Sequence, residues 1–537
     1  MRSRSARNLF RDRARLAIAV CVLGGLALRL ALLIHAGWRY DYDEGMVGLQ
    51  VLRIQRGAHP VFHPGQPYLG ALESYLIVPL FALFGANAVT LKLVPWLLSG
   101  AYVGTTGWLG MRAFDRQVGA LTAVLAAFGP VYLLVTGMKT WGATAETLVL
   151  GNLALIAASY VVDADRSLDA RIRALALLGL IAGIAFWVSW LFVFYALPVA
   201  VVLIWRGRDL PRRMWALAVL AFLVGSAPFW AYNVDHPLAT FRYFLDERGA
   251  VPATTGQVLD HLVNDLGPRL VSGDPAWGRL SWPAIWWLQL VYEGGAALLV
   301  LWAVCGPWVP ERRPARALLA LFALGVPVIY VLSGWGDRAL NAYGFDATGR
   351  YVLMLYSALP IGAAAALIAL GRWRPWLRGL AAAAVTSVIA LNLLGVVRAD
   401  PMRAFTSPYY TRQPATLEPL IAFLDQQGIT AVWTDVGIAH VLMFETHERI
   451  VAADWYDIYA AKGLLRFPDV PVEIAQADRV AFVETILPGQ TDVPIEQAFA
   501  ASGVPYAAIR VTPDLLVIVP FAPVDPVSLG DAMGYQF

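Results

Sequence analysis

Runs of about 20 apolar residues recur through the first three quarters of this 537-residue chain, and that recurrence limits the possible folds more than any other feature. Each run is long enough to cross a hydrocarbon core of roughly 30 Å as a helix. Lipid offers the backbone no hydrogen-bonding partner, so segments that cross must satisfy their own N–H and C=O groups, which a helix does. Candidate spans fall near 16–36, 89–111, 118–136, 143–162, 174–188, 190–205, 215–233, 285–306, 316–334, 351–370 and 379–397, eleven in all. The composition, 58% hydrophobic and 15% charged, lies outside the range of soluble domains and agrees with a polytopic helical membrane protein. The basic start followed by Leu16–Ala36 resembles a signal peptide, but the apolar stretch is too long for a cleavable one and reads as a retained first span.

The last 140 residues break the pattern: short apolar and polar stretches alternate between Gly, Pro and Asp, and eight Lys and Arg face seventeen Asp and Glu. Helix-like LEPLIAFLDQQG, IAHVLMFE and IEQAFAASG alternate with strand-like ITAVWTDV, RIVAADW, DRVAFVET, YAAIRV and LLVIVPF, which predicts a small α/β domain. No glycine-rich phosphate loop follows any of these strands. The expected division is a transmembrane catalytic domain over 1–397, with a first extracytoplasmic loop at 37–88, and an extracytoplasmic α/β domain over 398–537. Nucleic acid is an unsuitable partner for a chain whose soluble part is acidic. Cys21 and Cys305 both lie in apolar spans, which rules out a disulfide framework in the tail.

Arginine sets the expected orientation. RAFDR (112–116), DADRSLDARIR (163–173), RGRDLPRR (206–213), ERRPAR (311–316) and GRWRPWLR (371–378) fall on the side of the N-terminus, which the positive-inside rule makes cytoplasmic. The stretch Tyr68–Phe84, short and carrying Glu73, Ser74 and Pro79, is expected in the outer interface rather than across the bilayer, with the segment Glu44–Arg56 as an amphipathic companion. The sequence YDYDEG, the loops 235–283 and 335–350 and the C-terminal domain then face outward. Two charges inside spans, Arg29 and Glu293, are expected to pair.

YDYDEG places Asp41, Asp43 and Glu44 within four positions just beyond the first span. Lysine is scarce, at three against 38 arginines, yet Lys92 and Lys139 both fall at the outer membrane edge, near Glu146 in MKTWGATAETL. A cation at headgroup depth suits a lipid-linked phosphate, and a carboxylate beside it suits deprotonation of a hydroxyl. Asp41-Tyr42-Asp43 also offers hard oxygen ligands for a divalent ion, with His59 and His63 within reach in sequence. A turn role is the stronger reading for those histidines, each followed by proline. Asp163-Ala164-Asp165 sits on a short cytoplasmic loop without a nucleotide domain and carries no such role.

The order of a basic N-terminus, a span, the Asp43-Glu44 pair, then GQPYLGALESYLIVPLFALFG (65–85), KLVPWLLSG (92–100), WGATAETLVLG (141–151) and TGRYVLMLYSALP (348–360) resembles the GT-C superfamily of polyprenyl-phosphate-dependent glycosyltransferases. The likeness is to the protein O-mannosyltransferase and aminoarabinose-transferase branch. It implies transfer of a sugar from a polyprenyl-phosphate donor to a lipid, glycan or protein acceptor, with inversion, in the cell's inner membrane. It further implies Asp43 as general base, with Glu44 and Glu146 as companion acids. Lys92, Lys139 and Arg350 are the candidate phosphate clamp, each with a competing reading as an interfacial snorkelling residue, and Asp41, Gln66, Tyr68, Glu73 and Tyr351 complete the expected substrate-binding set. No cofactor is required on this reading, a monophosphate donor having less need of a metal than a diphosphate; a divalent ion held by Asp41, Asp43, His59 and His63 is the less favoured alternative. A transporter or flippase, or a non-catalytic membrane scaffold, are the rival functions. A transporter would concentrate ionisable groups at the midplane and repeat its spans, which this sequence does not do.

Overall fold

The structure, a computed structural model, describes all residues except 1, 208, 247–252, 274–279, 306–312, 333–348, 407–413, 415, 456–465, 488 and 535–537. Parts of the expected outward loops (247–252, 274–279 and 335–348) therefore lie outside the described residues, as do 311–312 of the Arg-rich ERRPAR and Thr348 of the segment before Arg350.

In their described residues all eleven apolar segments are largely helical. Among the described residues seven helices are single, long and apolar enough to cross a membrane, and Arg212–Gly225 with Ala227–Asp235, bent by 62°, makes an eighth candidate. The other three expected spans are α4 (Ala88–Ala113), long but diluted by Gly, Thr and Trp, the short helix Val193–Arg206 with its 3₁₀ lead-in Trp190–Phe192, and the pair α5 (Arg116–Ala127) and α6 (Val131–Thr136). The break between α5 and α6 falls at Gly129-Pro130, where proline cannot donate to the helix ladder.

That break explains Arg29, on α1 (Arg2–His35). Its guanidinium is fully buried and donates to the carbonyls of Ala126 and Ala127 (3.2 and 3.0 Å) and to that of Gly25 in its own helix (3.2 Å). A helix C-terminus leaves carbonyls unpaired and partly negative, and a cation there satisfies both demands. The expected pairing with Glu293 is thus corrected: Arg29 caps α5, and Glu293 lies beside Gln289, whose amide is 3.4 Å from it.

Between α1 and α4 the chain folds into three short elements. Helix α2 spans Tyr42–Gln55, strands β1 (Phe62–His63) and β2 (Gln66–Gly70) form a hairpin, and α3 covers Leu72–Phe84. Gln50 ties them together, donating to the Phe62 carbonyl (2.8 Å) and accepting from Ser74 (2.7 Å). Helix α3 has 13 residues and is too short to span, in keeping with the interfacial reading of Tyr68–Phe84, although Tyr68–Gly70 is strand rather than helix. The amphipathic reading of Glu44–Arg56 changes more. Every residue from Glu44 to Leu52 is buried, because α2 is covered on one side by α3 and on another by a helix of the C-terminal region.

That region is the expected α/β fold. Strands β3 (Ala431–Thr434), β4 (Val451–Asp454), β5 (Val480–Thr485), β6 (Tyr506–Thr512) and β7 (Leu515–Pro520) form one sheet in the order β4-β3-β5-β7-β6. β3 runs parallel to β4 and β5, while β7 runs antiparallel to β5 and β6. The central strands are buried on both faces, which explains their near-continuous apolar sequence. Helix Val436–Glu445, leaving β3, lies against α2. A methyl added to Gly48 would sit 2.7 Å from the Phe444 ring, so only glycine permits this approach. The apolar core of the sheet consequently continues through Met46, Val47 and Leu49 of α2 to Ile77 and Phe81 of α3.

Replacing Arg29 by Met would strip the α5 terminus of its cap, and a hydrogen bond to a charged group is worth about 1.5–3 kcal/mol. Detergent-solubilised R29M is expected to unfold at lower temperature than the parent, whereas E293Q should leave that contact intact and cost less; equal midpoints for R29M and the parent would refute the capping role.

Candidate active site

The charged residues of YDYDEG sit at the start of α2, where negative side chains favour the helix N-terminus. Asp41 is the N-cap and Glu44 the third helical residue. They form a capping box, Asp41 accepting from the Glu44 N–H and Glu44 accepting from the Asp41 N–H, both at 3.1 Å. Both carboxylates are buried, and the two lysines singled out in the sequence are spent on them. Lys139 lies 2.7 Å from Asp41 and 3.8 Å from Glu44, and also donates to the Phe405 carbonyl at 2.7 Å; Lys92 pairs with the other oxygen of Glu44. Neither lysine side chain has any solvent exposure.

The remaining lone pairs are met by the turn between α6 and α7 (Thr144–Val161). In succession the Thr140 N–H donates to Glu44 (2.7 Å), the Trp141 indole N–H to Asp41 (2.8 Å) and the Gly142 N–H to Glu73 (2.7 Å). To present three donors to three carboxylates the backbone turns left-handed, with φ of 60° at Gly142 and 89° at Ala143. A side chain at 142 would also collide with His63, whose Nε2 lies 2.2 Å from where a Cβ would stand. Burial drives the Asp41 carboxyl above its usual range while Lys139 pulls it down. Burial, then repulsion from Glu146, pushes Glu73 well up. Glu146 occupies the first turn of α7, fully enclosed, and neither of its oxygens makes an ordinary hydrogen bond among the described residues.

Asp43 differs from its neighbours. It projects away from the lysines and keeps 18% of its side chain exposed. Its partner comes from the far end of the chain: Arg466, 423 residues on, donates to Asp43 Oδ1 at 3.0 Å. Burial alone would raise the Asp43 carboxyl, but Arg466, followed by Arg350, holds it below the usual carboxylate range. Two buried histidines border the same space. Burial lowers His440 to about 3 and His63 to about 4, so both are neutral at physiological pH.

The predicted site residues thus divide into two groups. Asp41, Glu44, Glu73, Lys92 and Lys139 converge in one enclosed network, with Glu146 electrostatically linked to it through Glu73. Asp43 and Arg350 interact electrostatically on the more open side, where the Arg350 guanidinium also lies over the Tyr351 ring at 5.6 Å. Gln66 and Tyr68 are half-buried on β2, Tyr68 against Tyr243 with ring centroids 4.9 Å apart. His59 is exposed whereas His63 is buried, and among the described residues no three His, Cys, Asp or Glu side chains group as metal ligands would. Sequence reasoning missed Arg466, His440 and Trp141. The first two lie in a tail without a motif, and Trp141 reads as one of many interfacial tryptophans.

No protein-family model and no curated protein matches the sequence. The three-dimensional structure is similar to solved ones. ArnT from Cupriavidus metallidurans bound to undecaprenyl phosphate superposes with a TM-score of 0.61 at 15% identity, over 94% of this chain and 97% of that one. The fold is GT-C. Archaeal oligosaccharyltransferase AglB from Archaeoglobus fulgidus, in complex with an inhibitory peptide and a dolichol-phosphate, shares this GT-C fold at a TM-score of 0.52 and 11% identity, over 88% of this chain and 70% of that one. The Archaeoglobus fulgidus oligosaccharyltransferase in complex with Zn and sulfate matches at 0.50 and 10% identity, over 87% of this chain and 67% of that one. The match to ArnT along nearly its whole length covers both the helical bundle of the GT-C fold and the C-terminal sheet.

Breaking one side of a buried ion pair costs about 3–5 kcal/mol, because the other charge is left unpaired in a medium that does not solvate it. K92M should therefore lower folded yield and the thermal midpoint in detergent, and E44Q in the same chain should recover part of the loss. Unchanged stability of K92M would show that Glu44 does not depend on this lysine.

Proposed function

We propose that this chain is an integral-membrane glycosyltransferase that moves a sugar from a polyprenyl monophosphate donor to an acceptor hydroxyl, with Asp43 as general base and inversion at the anomeric carbon. One observation carries this reading: of the three clustered carboxylates, Asp41 and Glu44 are consumed by a buried network, while Asp43 is partly open and faces two guanidinium groups. That is the arrangement the chemistry asks for. The acceptor hydroxyl gives its proton to Asp43 as its oxygen attacks the anomeric carbon. The bond from that carbon to the phosphate oxygen breaks, and the polyprenyl phosphate leaves with the electron pair.

The leaving group is already an anion of low basicity, so no general acid is needed, only cations positioned where charge develops. Arg350 and Arg466 are suited to this, since a guanidinium matches phosphate oxygens in a planar, bidentate fashion. The reaction so drawn requires no divalent metal. Asp41, Glu44, Lys92 and Lys139 are assigned to holding α2 and the 137–143 turn in place rather than to the reacting atoms. Glu146 and Glu73 are assigned to the floor of the same site. With the Arg-rich loops read as cytoplasmic by the positive-inside rule, the N-terminus is assigned to that side and Asp43, with the C-terminal domain, to the opposite one. ArnT and AglB, whose structures hold undecaprenyl phosphate and dolichol-phosphate, support a donor of this class.

Purified protein should be tested with a panel of undecaprenyl-phosphate-linked hexoses and pentoses and lipid, glycan and peptide acceptors. D43N is expected to lose about 10²-fold or more of the transfer rate while keeping its thermal midpoint. Transfer by D43N at the parental rate would remove Asp43 from the reaction.

A further inference from the structure

The pairing of Asp43 with Arg466 raises a chemical difficulty. A carboxylate neutralised by a guanidinium is a weak acceptor for an incoming proton, because general-base strength falls as the carboxyl is held further below the working pH. Asp43 Oδ1 accepts from Arg466 at 3.0 Å, the same guanidinium nitrogen lies 3.1 Å from Met46 Sδ, and both charged side chains are about one-fifth exposed, at 18% and 21%. This ion pair therefore lies open to an incoming ligand, unlike the sealed Lys92–Glu44 and Lys139–Asp41 pairs.

Arg466 reaches Asp43 because the C-terminal domain is clamped along α2. Arg53 bonds Glu448 (2.7 Å) and Asp469 (2.8 Å), Arg56 also pairs with Glu448, the Arg53 guanidinium stacks 4.5 Å over Phe467, and Tyr40 donates to Glu445 (3.3 Å). Phe467, the residue after Arg466, is itself buried, so the position of the guanidinium is set by a packed neighbour. Among the described residues, the charged and titratable groups around the Asp43–Arg466 pair are His440 and Asp454 from the C-terminal domain, Arg350 from the segment before the 3₁₀ turn Leu353–Ser357, His63 from β1, and Asp41 and Tyr42 from the start of α2. With both histidines neutral, Arg350 and Arg466 are the cations of this set.

We propose that Arg466 is shared between Asp43 and the phosphate of the donor, so that the C-terminal domain supplies a substrate-binding residue and the base is released only when a donor is loaded. A polyprenyl monophosphate competes with Asp43 for the guanidinium; once the phosphate takes it, the carboxylate is free to accept the acceptor's proton. The proposal rests on the reading of Asp43 and a monophosphate donor given above, and its test uses binding alone, so it fails separately from that reading.

Binding of undecaprenyl phosphate to the full-length protein in detergent should be measured for the parent, R466Q, D43N and the double variant, each accepted only with a parental thermal midpoint; R466K replaces R466Q should the latter not fold. Losing one charge-assisted contact should weaken binding by about 10-fold in R466Q. D43N removes the competing anion and should tighten binding about 3-fold or more, and that gain should vanish in the double variant, since the two residues are coupled. Unchanged or weaker binding by D43N, parental binding by R466Q, or the same D43N gain with and without Arg466 would each overturn the proposal. Failure of D43N to lose sugar transfer would instead count against the general base and leave the binding result standing.

Discussion

The architecture around the site depends on two carboxylates and two ammonium groups buried together at the N-terminus of α2. Removing four charges from water is costly, and their mutual attraction offsets that cost only when nearly every lone pair and proton finds a partner. Here Glu44 is met by Lys92, the Thr140 N–H and the Asp41 N–H, and Asp41 by Lys139, the Trp141 indole and the Glu44 N–H. Those donors come from α4, from the turn before α7 and from α2 itself, so the network fixes the relative positions of three segments distant in sequence. A turn with two consecutive left-handed residues, one of them an alanine, is tolerated because the carboxylates hold it.

The same geometry explains why three neighbouring acids take different parts. Successive residues of a helix point about 100° apart. With Asp41 and Glu44 directed into the network at positions three apart, Asp43 must project elsewhere, and the side it faces is occupied by the C-terminal domain. The glycine at 48 lets helix Val436–Glu445 press close enough for that domain to reach the acid. A continuous apolar core running from the sheet into α2 and α3 makes the contact a packed interface rather than a loose tether.

Much of the fold was legible in the sequence for simple reasons. Eleven apolar runs yielded helices because a lipid-soluble segment has few other ways to pair its backbone, and the tail yielded its strands because alternation and turn residues mark them. Span counting was less secure where Gly129-Pro130 divides one run and where a 62° bend divides another, since hydropathy does not register direction. The expected Arg29–Glu293 pair failed for a related reason: depth in the bilayer can be read along one span, but not which face of one helix meets another. Arg29 found carbonyls liberated by the α5–α6 break instead.

Hydropathy and periodicity were enough to define the class of the molecule, a helical membrane protein with an α/β tail, and to single out Asp41, Asp43, Glu44, Lys92 and Lys139, because charge is rare beside so much apolar surface. The packing of the folded chain separated their surroundings. It sealed both lysines against Asp41 and Glu44, left Asp43 open, and brought Arg466 across 423 residues to face it. Periodicity and composition act over a few turns of chain, whereas the pairing of buried charges is set by which segments the core forces together, and that is a property of the whole fold.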